Sequence, residues 1–183
     1  MAWSLFPKGV IPNVTCKATR EQGMLSFLFD ITEPESCYRG ECRHNGDPCW
    51  QDSCVEVFIS SPSRGGYYNF ECNSYGFALA EFGSQRQNRT LMDKDFYRAF
   101  KRELYERSHA PHLSLIQWTI NIIIPLDLIG IGETEPVRGN LYKCASNAQT
   151  PHYLMAFPID TPAPDFHRPE FFRNVFDEGQ GEL

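Results

Sequence analysis

Two short stretches of this sequence hold the side chains best suited to chemistry. Within Cys54–Ser60, Glu56 lies between Val55 and Val57; within Tyr67–Asn73, Asn69, Glu71 and Asn73 recur at every second position. Successive side chains of an extended strand point to opposite faces, so Asn69, Glu71 and Asn73 share one face with Tyr67. By the same rule Cys54, Glu56, Phe58 and Ser60 share a face. Val55, Val57 and Ile59 then point to the core, as do Tyr68, Phe70 and Cys72. If the strands pair, Glu56 joins the amide–carboxylate ladder, with Trp50 just before it. Such groups make bidentate hydrogen bonds to vicinal hydroxyls of a pyranose, and an indole stacks on its C–H face. The same alternation also suits the solvated outer face of an antiparallel sheet.

Other chemistries are weaker. Glu56 and Glu71 form the one credible pair for glycoside hydrolysis, which needs two carboxyls ~5–9 Å apart flanking the bond. An open sheet face lacks the apolar surroundings that raise an acid's pKa, so no catalytic residue is expected. No G-x-S-x-G, P-loop or HExxH motif offers another enzyme reading. The seven cysteines are odd in number, so at least one thiol is unpaired within the chain. The run Cys37, Cys42, Cys49, Cys54 invites zinc, but none of its spacings is the tight C-x2-C of structural sites, and no metal ligand is assigned. Reduced thiols are preferred, with Cys54 and Cys72 acting as small buried hydrophobes. A Cys37–Cys49 or Cys42–Cys49 disulfide is the alternative for an exported protein. Asp30, Asp47 and Asp52 with loop carbonyls could hold a structural calcium ion, although the surrounding loop is rich in Cys and His. No cofactor is required.

The elements that must position these residues follow from periodicity. Met24–Ile31 alternates, with Leu25, Phe27, Phe29 and Ile31 on one side, while Glu33–Pro48 is aperiodic and reads as a long loop. The composition of Ser61–Gly66 makes a hairpin turn between the two polar-faced strands. Phe77–Phe82, Ile116–Ile124 (closed by Pro125), Asn140–Ala145 and His152–Ile159 read as further strands. Across Asp93–Tyr105, Phe96, Phe100 and Leu104 fall at i, i+4 and i+8, which predicts a short amphipathic surface helix. The tail from Asp160 is Pro-rich and aromatic, and Asp177–Leu183 is expected to fray. With no repeat or linker, residues 1–183 read as one all-β domain, a β-sandwich or jelly roll with one short helix.

Composition narrows the partners. At 183 residues the chain is long enough to bury its own core. Fourteen Phe and eight Tyr exceed what a modest core needs, so some aromatics are expected to face solvent or ligand. A net charge of -6 and pI near 5.4 argue against duplex nucleic acid and anionic lipid, and favour a neutral ligand. No run approaches the ~20 apolar residues that span a bilayer. The N-terminus shows no charged n-region followed by an apolar h-region, so a cytoplasmic location is the default expectation, with export left open.

The stretch Trp50-Gln-Asp-Ser-Cys-Val-Glu-Val-Phe-Ile-Ser60 closely resembles the W-x-D-(D/S)-x-V-E-x-F-(I/L) hallmark of carbohydrate-binding module family nine. Tyr67–Asn73 resembles the paired strand of its stand-alone bacterial branch. Asn140–Cys144, Thr150–Leu154 and Pro164–Phe172 resemble that branch's C-terminal signature, and Trp3 and Pro12 match positions near its start. The resemblance spans nearly the whole chain and implies an immunoglobulin-like or jelly-roll sandwich that binds an oligo- or polysaccharide, such as a glucan or xylan end. The family's xylanase-linked members clamp sugar ends between two tryptophans and bind calcium structurally. Trp50 matches the first clamp residue and Glu56 the motif carboxylate; the second clamp position falls near Phe166 or His167. Glu71 stands where sugar-binding members use arginine, which reverses charge and hydrogen-bond polarity. The expected ligand set is Trp50 and Phe166 for stacking, with Glu56, Glu71, Asn73, Lys143, His167 and Arg168 for polar contacts. Lys143 reaches the ligand if Tyr142 and Cys144 face inward, whereas His167-Arg168 could instead only cap the turn before Pro169.

Overall fold

The computed structural model describes residues 11–176. Strands β1 (Asn13–Glu21) and β2 (Met24–Pro34) form a hairpin whose two central residues, Gln22 and Gly23, both take positive φ. That backbone matches the right-handed twist of the paired strands, and Gly23 adopts it without a Cβ penalty. β3 (Cys54–Ser60), β4 (Tyr67–Asn73), β5 (Ala78–Gly83) and β6 (Thr90–Leu91) follow in sequence as a meander. After helix α1 (Lys94–Ala99) come β7 (Lys101–Ala110), β8 (Leu115–Pro125), β9 (Arg138–Ala145), β10 (His152–Met155) and β11 (Arg173–Asn174). They make two antiparallel sheets, one ordered β1-β2-β8-β7 and the other β10-β9-β3-β4-β5-β6, with β11 also paired to β9.

The expected sandwich is therefore present. Its core lies between the sheets, where Leu25, Phe27, Phe29 and Ile31 of β2 meet Val55, Val57 and Ile59 of β3 and Phe70 of β4. Trp118, Ile120, Ile122 and Ile124 of β8 complete it. β3 and β4 have the expected limits, with Glu56 directly opposite Glu71. A second apolar cluster covers the far side of the larger sheet: Phe58, Tyr67, Tyr142, Phe166 and Phe172 with Cys54 and Cys144. Consequently the outer face of β3 and β4 is not solvated, as one-sided alternation had suggested; both strands are buried almost throughout.

The helix is shorter than its periodicity implies. α1 ends at Ala99, and Phe96 and Phe100 enter the core while Leu104 is exposed. The chain continues as β7, an edge strand of mostly charged, exposed side chains beside β8. Charge on an edge strand discourages pairing with a second molecule, and it also erases the apolar alternation that would reveal a strand. β1, β6, β7 and β11 were not foreseen. Trp3 and the expected fraying of residues 177–183 lie outside the described residues.

One ionic contact ties the sheets together. Lys143 on β9 stands opposite Val55 and faces the interior, where its Nζ lies 3.0 Å from Glu33 Oε2 of β2. Nζ is also 2.8 Å from His152 Nε2 and donates to the Cys144 carbonyl, while Trp118 Nε1 donates to Glu33 Oε1 at 2.7 Å. Burial, and then the neighbouring Lys143 charge, lower the His152 pKa to about 2, so the neutral ring accepts from the ammonium. Both partners are fully buried, which makes removal of one more costly than removal of both. Lys143→Met should destabilise the fold by about 3–5 kcal/mol in urea unfolding, and adding Glu33→Gln should recover much of that loss. A loss under ~1 kcal/mol for Lys143→Met would contradict this bridging role.

Candidate functional site

Two irregular segments build a cleft on the outer face of the larger sheet. The first, residues 38–52, converges on Asp52, whose carboxylate accepts from Arg39, the Glu41 and Cys42 backbone N–H groups and Asn73 Nδ2. Within it a 3-10 turn, Cys49–Gln51, sets Trp50 beside the sheet. Ser146 N donates to the Trp50 carbonyl at 3.1 Å, so the turn is fastened while the indole stays 41% exposed. The second segment follows β10. Phe166 stacks on Tyr142 with ring centroids 4.0 Å apart, and the Tyr142 hydroxyl donates to the Phe166 carbonyl. His167 Nδ1 lies 2.8 Å from the Tyr67 hydroxyl. Burial, then the nearby arginines Arg89 and Arg86, depress the His167 pKa to about 3, so the ring is neutral.

Between the segments lies a cleft of about 310 Å³. Glu56, Glu71 and Cys144 line it from the sheet; Trp50, Phe166 and His167 line it from the covering segments. Leu79 and Glu81 of β5, Arg86, Tyr153, Pro164 and Asp165 complete the wall. Arg86 and Asp165 form a 3.4 Å ion pair between the loop after β5 and the C-terminal segment. Glu56 Oε1 accepts from Cys144 Sγ at 2.9 Å, and Glu71 Oε1 accepts from Asn69 Nδ2 at 2.8 Å. Glu71 Oε2 is buried with no hydrogen-bond partner, an uncommon state for a polar atom. Burial first, then the Glu56 charge, push the Glu71 carboxyl well above the usual carboxylate range. Glu56 is raised likewise, by burial and then by Cys144, against a smaller opposing effect of Lys143. The expectation of an open face without acid-raising surroundings is thus corrected: the covering segments supply them.

Of the residues singled out from sequence, Trp50, Glu56, Glu71, Phe166 and His167 meet in this cleft. Three do not line it. Asn73 is buried in a turn, donating to the Cys42 carbonyl and Asp52 and accepting from Tyr75 N and Phe77 N. Lys143 points to the opposite side of the sheet, because Tyr142 and Cys144 face the cleft cluster rather than the core. Arg168 pairs with Glu170 and lies over the Phe171 ring. Glu81, Arg86, Tyr153 and Asp165 were not selected. Glu81 stands opposite Asn69, so alternation on β5 carried its signal, whereas the aperiodic loop around Arg86 carried none.

The candidate calcium ligands do not converge. Asp30 accepts from Thr119, Asp47 from the Arg43 and His44 backbone, and Asp52 is occupied as described. A hard cation would have to displace those bonds, and the donor set does not fit calcium. All seven cysteines are buried, and none is in a disulfide. Cys49 Sγ donates to the Phe77 carbonyl and Cys42 Sγ to the Pro48 carbonyl, so the clustered cysteines of the loop are parted among separate partners.

The architecture is a β-sandwich that carries a cleft on the outer face of its larger sheet. The family model described as carbohydrate-binding family 9 matches residues 1–176, and the chain belongs to that family. A crystal structure from Bacteroides uniformis, of a protein described provisionally as carbohydrate-binding, is similar with a TM-score of 0.78 and 26% identity. The match covers 93% of this chain and 79% of that one. No curated protein matches the chain.

The buried acid carries a pH signature. A carboxyl whose folded pKa is raised stabilises the fold fully below its unfolded pKa, about 4.3, and loses that contribution as pH rises toward the folded value. Glu71→Gln carries no such titration. It should gain stability relative to the native chain as pH rises above about 4, by up to about 1.4 kcal/mol per pH unit, until the native acid ionises in the folded state. A difference in urea midpoints that is flat, or that moves the other way, would contradict the burial of this acid.

Proposed function

We propose that the cleft binds the end of a neutral oligo- or polysaccharide without cleaving it. The observation that carries this reading is a cleft lined together by the exposed indole of Trp50 and by Glu56 and Glu71, whose Oε2 is buried without a hydrogen-bond partner. Trp50 supplies an apolar platform for a sugar C–H face, while Phe166 is already stacked on Tyr142 and offers less area. Glu71 and Glu56 supply polar groups for vicinal hydroxyls. A protonated carboxyl donates as well as accepts, so a neutral Glu71 recovers part of the donor role that arginine plays in the sugar-binding relatives.

The charge of the cleft sets its preference. Asp165 and Glu81 are paired with Arg86 and Arg89, and burial favours the neutral forms of Glu56 and Glu71, so the lining offers no unpaired cation. A uronate would bring another negative charge into this low-dielectric space, so neutral sugars fit better. The same raised acids weigh against hydrolysis, which needs one carboxylate ionised while its partner stays protonated.

Calorimetry should find xylo- or cello-oligosaccharide binding that weakens at least ~10-fold in Trp50→Ala, a loss of about 1.4 kcal/mol. Arg168→Ala should stay within about two-fold, and uronic-acid oligosaccharides should bind at least ~10-fold more weakly than neutral ones. Absence of binding to any neutral oligosaccharide at millimolar concentration would overturn the reading.

A further inference from the structure

Two thiols at the cleft floor, Cys54 and Cys144, have chemistry that sugar recognition does not use, and they meet Glu56 there. Cys54 on β3 stands directly opposite Cys144 on β9, and Glu56 lies two residues on from Cys54, on the same face. Cys54 Sγ, Cys144 Sγ and a Glu56 carboxylate oxygen all lie within 4.8 Å of one another, and all three residues are buried. Among the described residues they are the one His, Cys, Asp or Glu group so gathered. We propose that Cys54, Glu56 and Cys144 form a three-ligand site for a thiophilic divalent cation, zinc by its chemistry.

The geometry fits with little rearrangement. Tetrahedral zinc with Zn–S about 2.3 Å and Zn–O about 2.0–2.2 Å needs its ligand atoms roughly 3.5–3.8 Å apart. All three side chains rise from adjacent positions on paired strands, so side-chain rotation alone brings them in. Two thiolates select a borderline-soft ion, and the carboxylate argues against a purely soft one such as Cu(I). On binding, the two thiols and the protonated Glu56 carboxyl release their protons to solvent, and Glu56 ligates as a carboxylate. Glu56 and Cys144 line the cleft, which gives the ion an entry path and leaves a fourth position open toward it. Of the four cysteines whose spacing first suggests zinc, Cys54 belongs to this site, and Cys37, Cys42 and Cys49 do not.

The full-length protein, kept reduced with a non-chelating phosphine, is titrated with cobalt(II) and then with zinc. One cobalt per chain should bind, with thiolate charge-transfer and tetrahedral ligand-field absorption that zinc abolishes. Cys54→Ser and Cys144→Ser should each weaken cobalt binding at least ten-fold, while Cys16→Ser and Cys42→Ser leave it unchanged. Because a serine variant can fail for lack of folding, X-ray absorption of the zinc-loaded native chain gives a second readout, with two sulfur and two light-atom ligands expected. No cobalt band, full affinity in both site variants, or a shell without two sulfurs would overturn the proposal.

Discussion

Asp52 has no exposed side-chain surface, yet it carries a carboxylate in the middle of a segment without regular structure. Residues 38–52 cannot satisfy their backbone groups through a sheet ladder, so they gather around this one acceptor. Arg39 balances the charge, and Asn73 links the arrangement to the end of β4. The position of Trp50 depends on this knot, because its turn immediately precedes Asp52 and packs on β3, β4 and β9 near Ser146. So does the burial of the outer face of β3 and β4. Without this cover the two glutamates would stand in water, as on the wet side of any antiparallel sheet.

Covering a polar face changes what its residues are. Glu56 and Glu71 are opposed on neighbouring strands, and the low dielectric around them disfavours their ionised forms. His167 is held neutral by the same burial. The cleft therefore presents hydrogen-bonding groups with little formal charge at its floor, beside an indole at its wall. Its mouth is spanned by Arg86 and Asp165, from segments far apart in sequence. On the other side of the same strands, Glu33 and Lys143 hold the two sheets together. β9 serves both sides, with Lys143 turned inward and Tyr142 and Cys144 turned toward the cleft.

Strand alternation made much of this legible. The limits of β3 and β4, their pairing and the shared face of Glu56 and Glu71 all follow from a period of two. Trp50, Phe166 and His167 were reached by resemblance to the family, since no periodicity links them to the strands. Exposure was misjudged because the cover comes from distant, aperiodic segments that local patterns do not place. Alternation set Lys143 on the wrong side of β9 because it took the apolar Tyr142 and Cys144 for core residues, whereas they pack on the outer face and Lys143 meets a buried partner on β2. β7 was hidden by charge: an edge strand needs none of the apolar alternation that marks an inner one. The pairing of Cys54 with Cys144 was equally out of reach, because it depends on which strands become neighbours.

The central claim is that the covered outer face of the larger sheet is the sugar site. A crystal structure of the protein grown with a neutral oligosaccharide tests it most directly. The account predicts one terminal ring lying against the Trp50 indole, with hydroxyls within hydrogen-bond distance of Glu71 Oε2 and Glu56. A sugar bound elsewhere on the sandwich, with this cleft left to water, would contradict it.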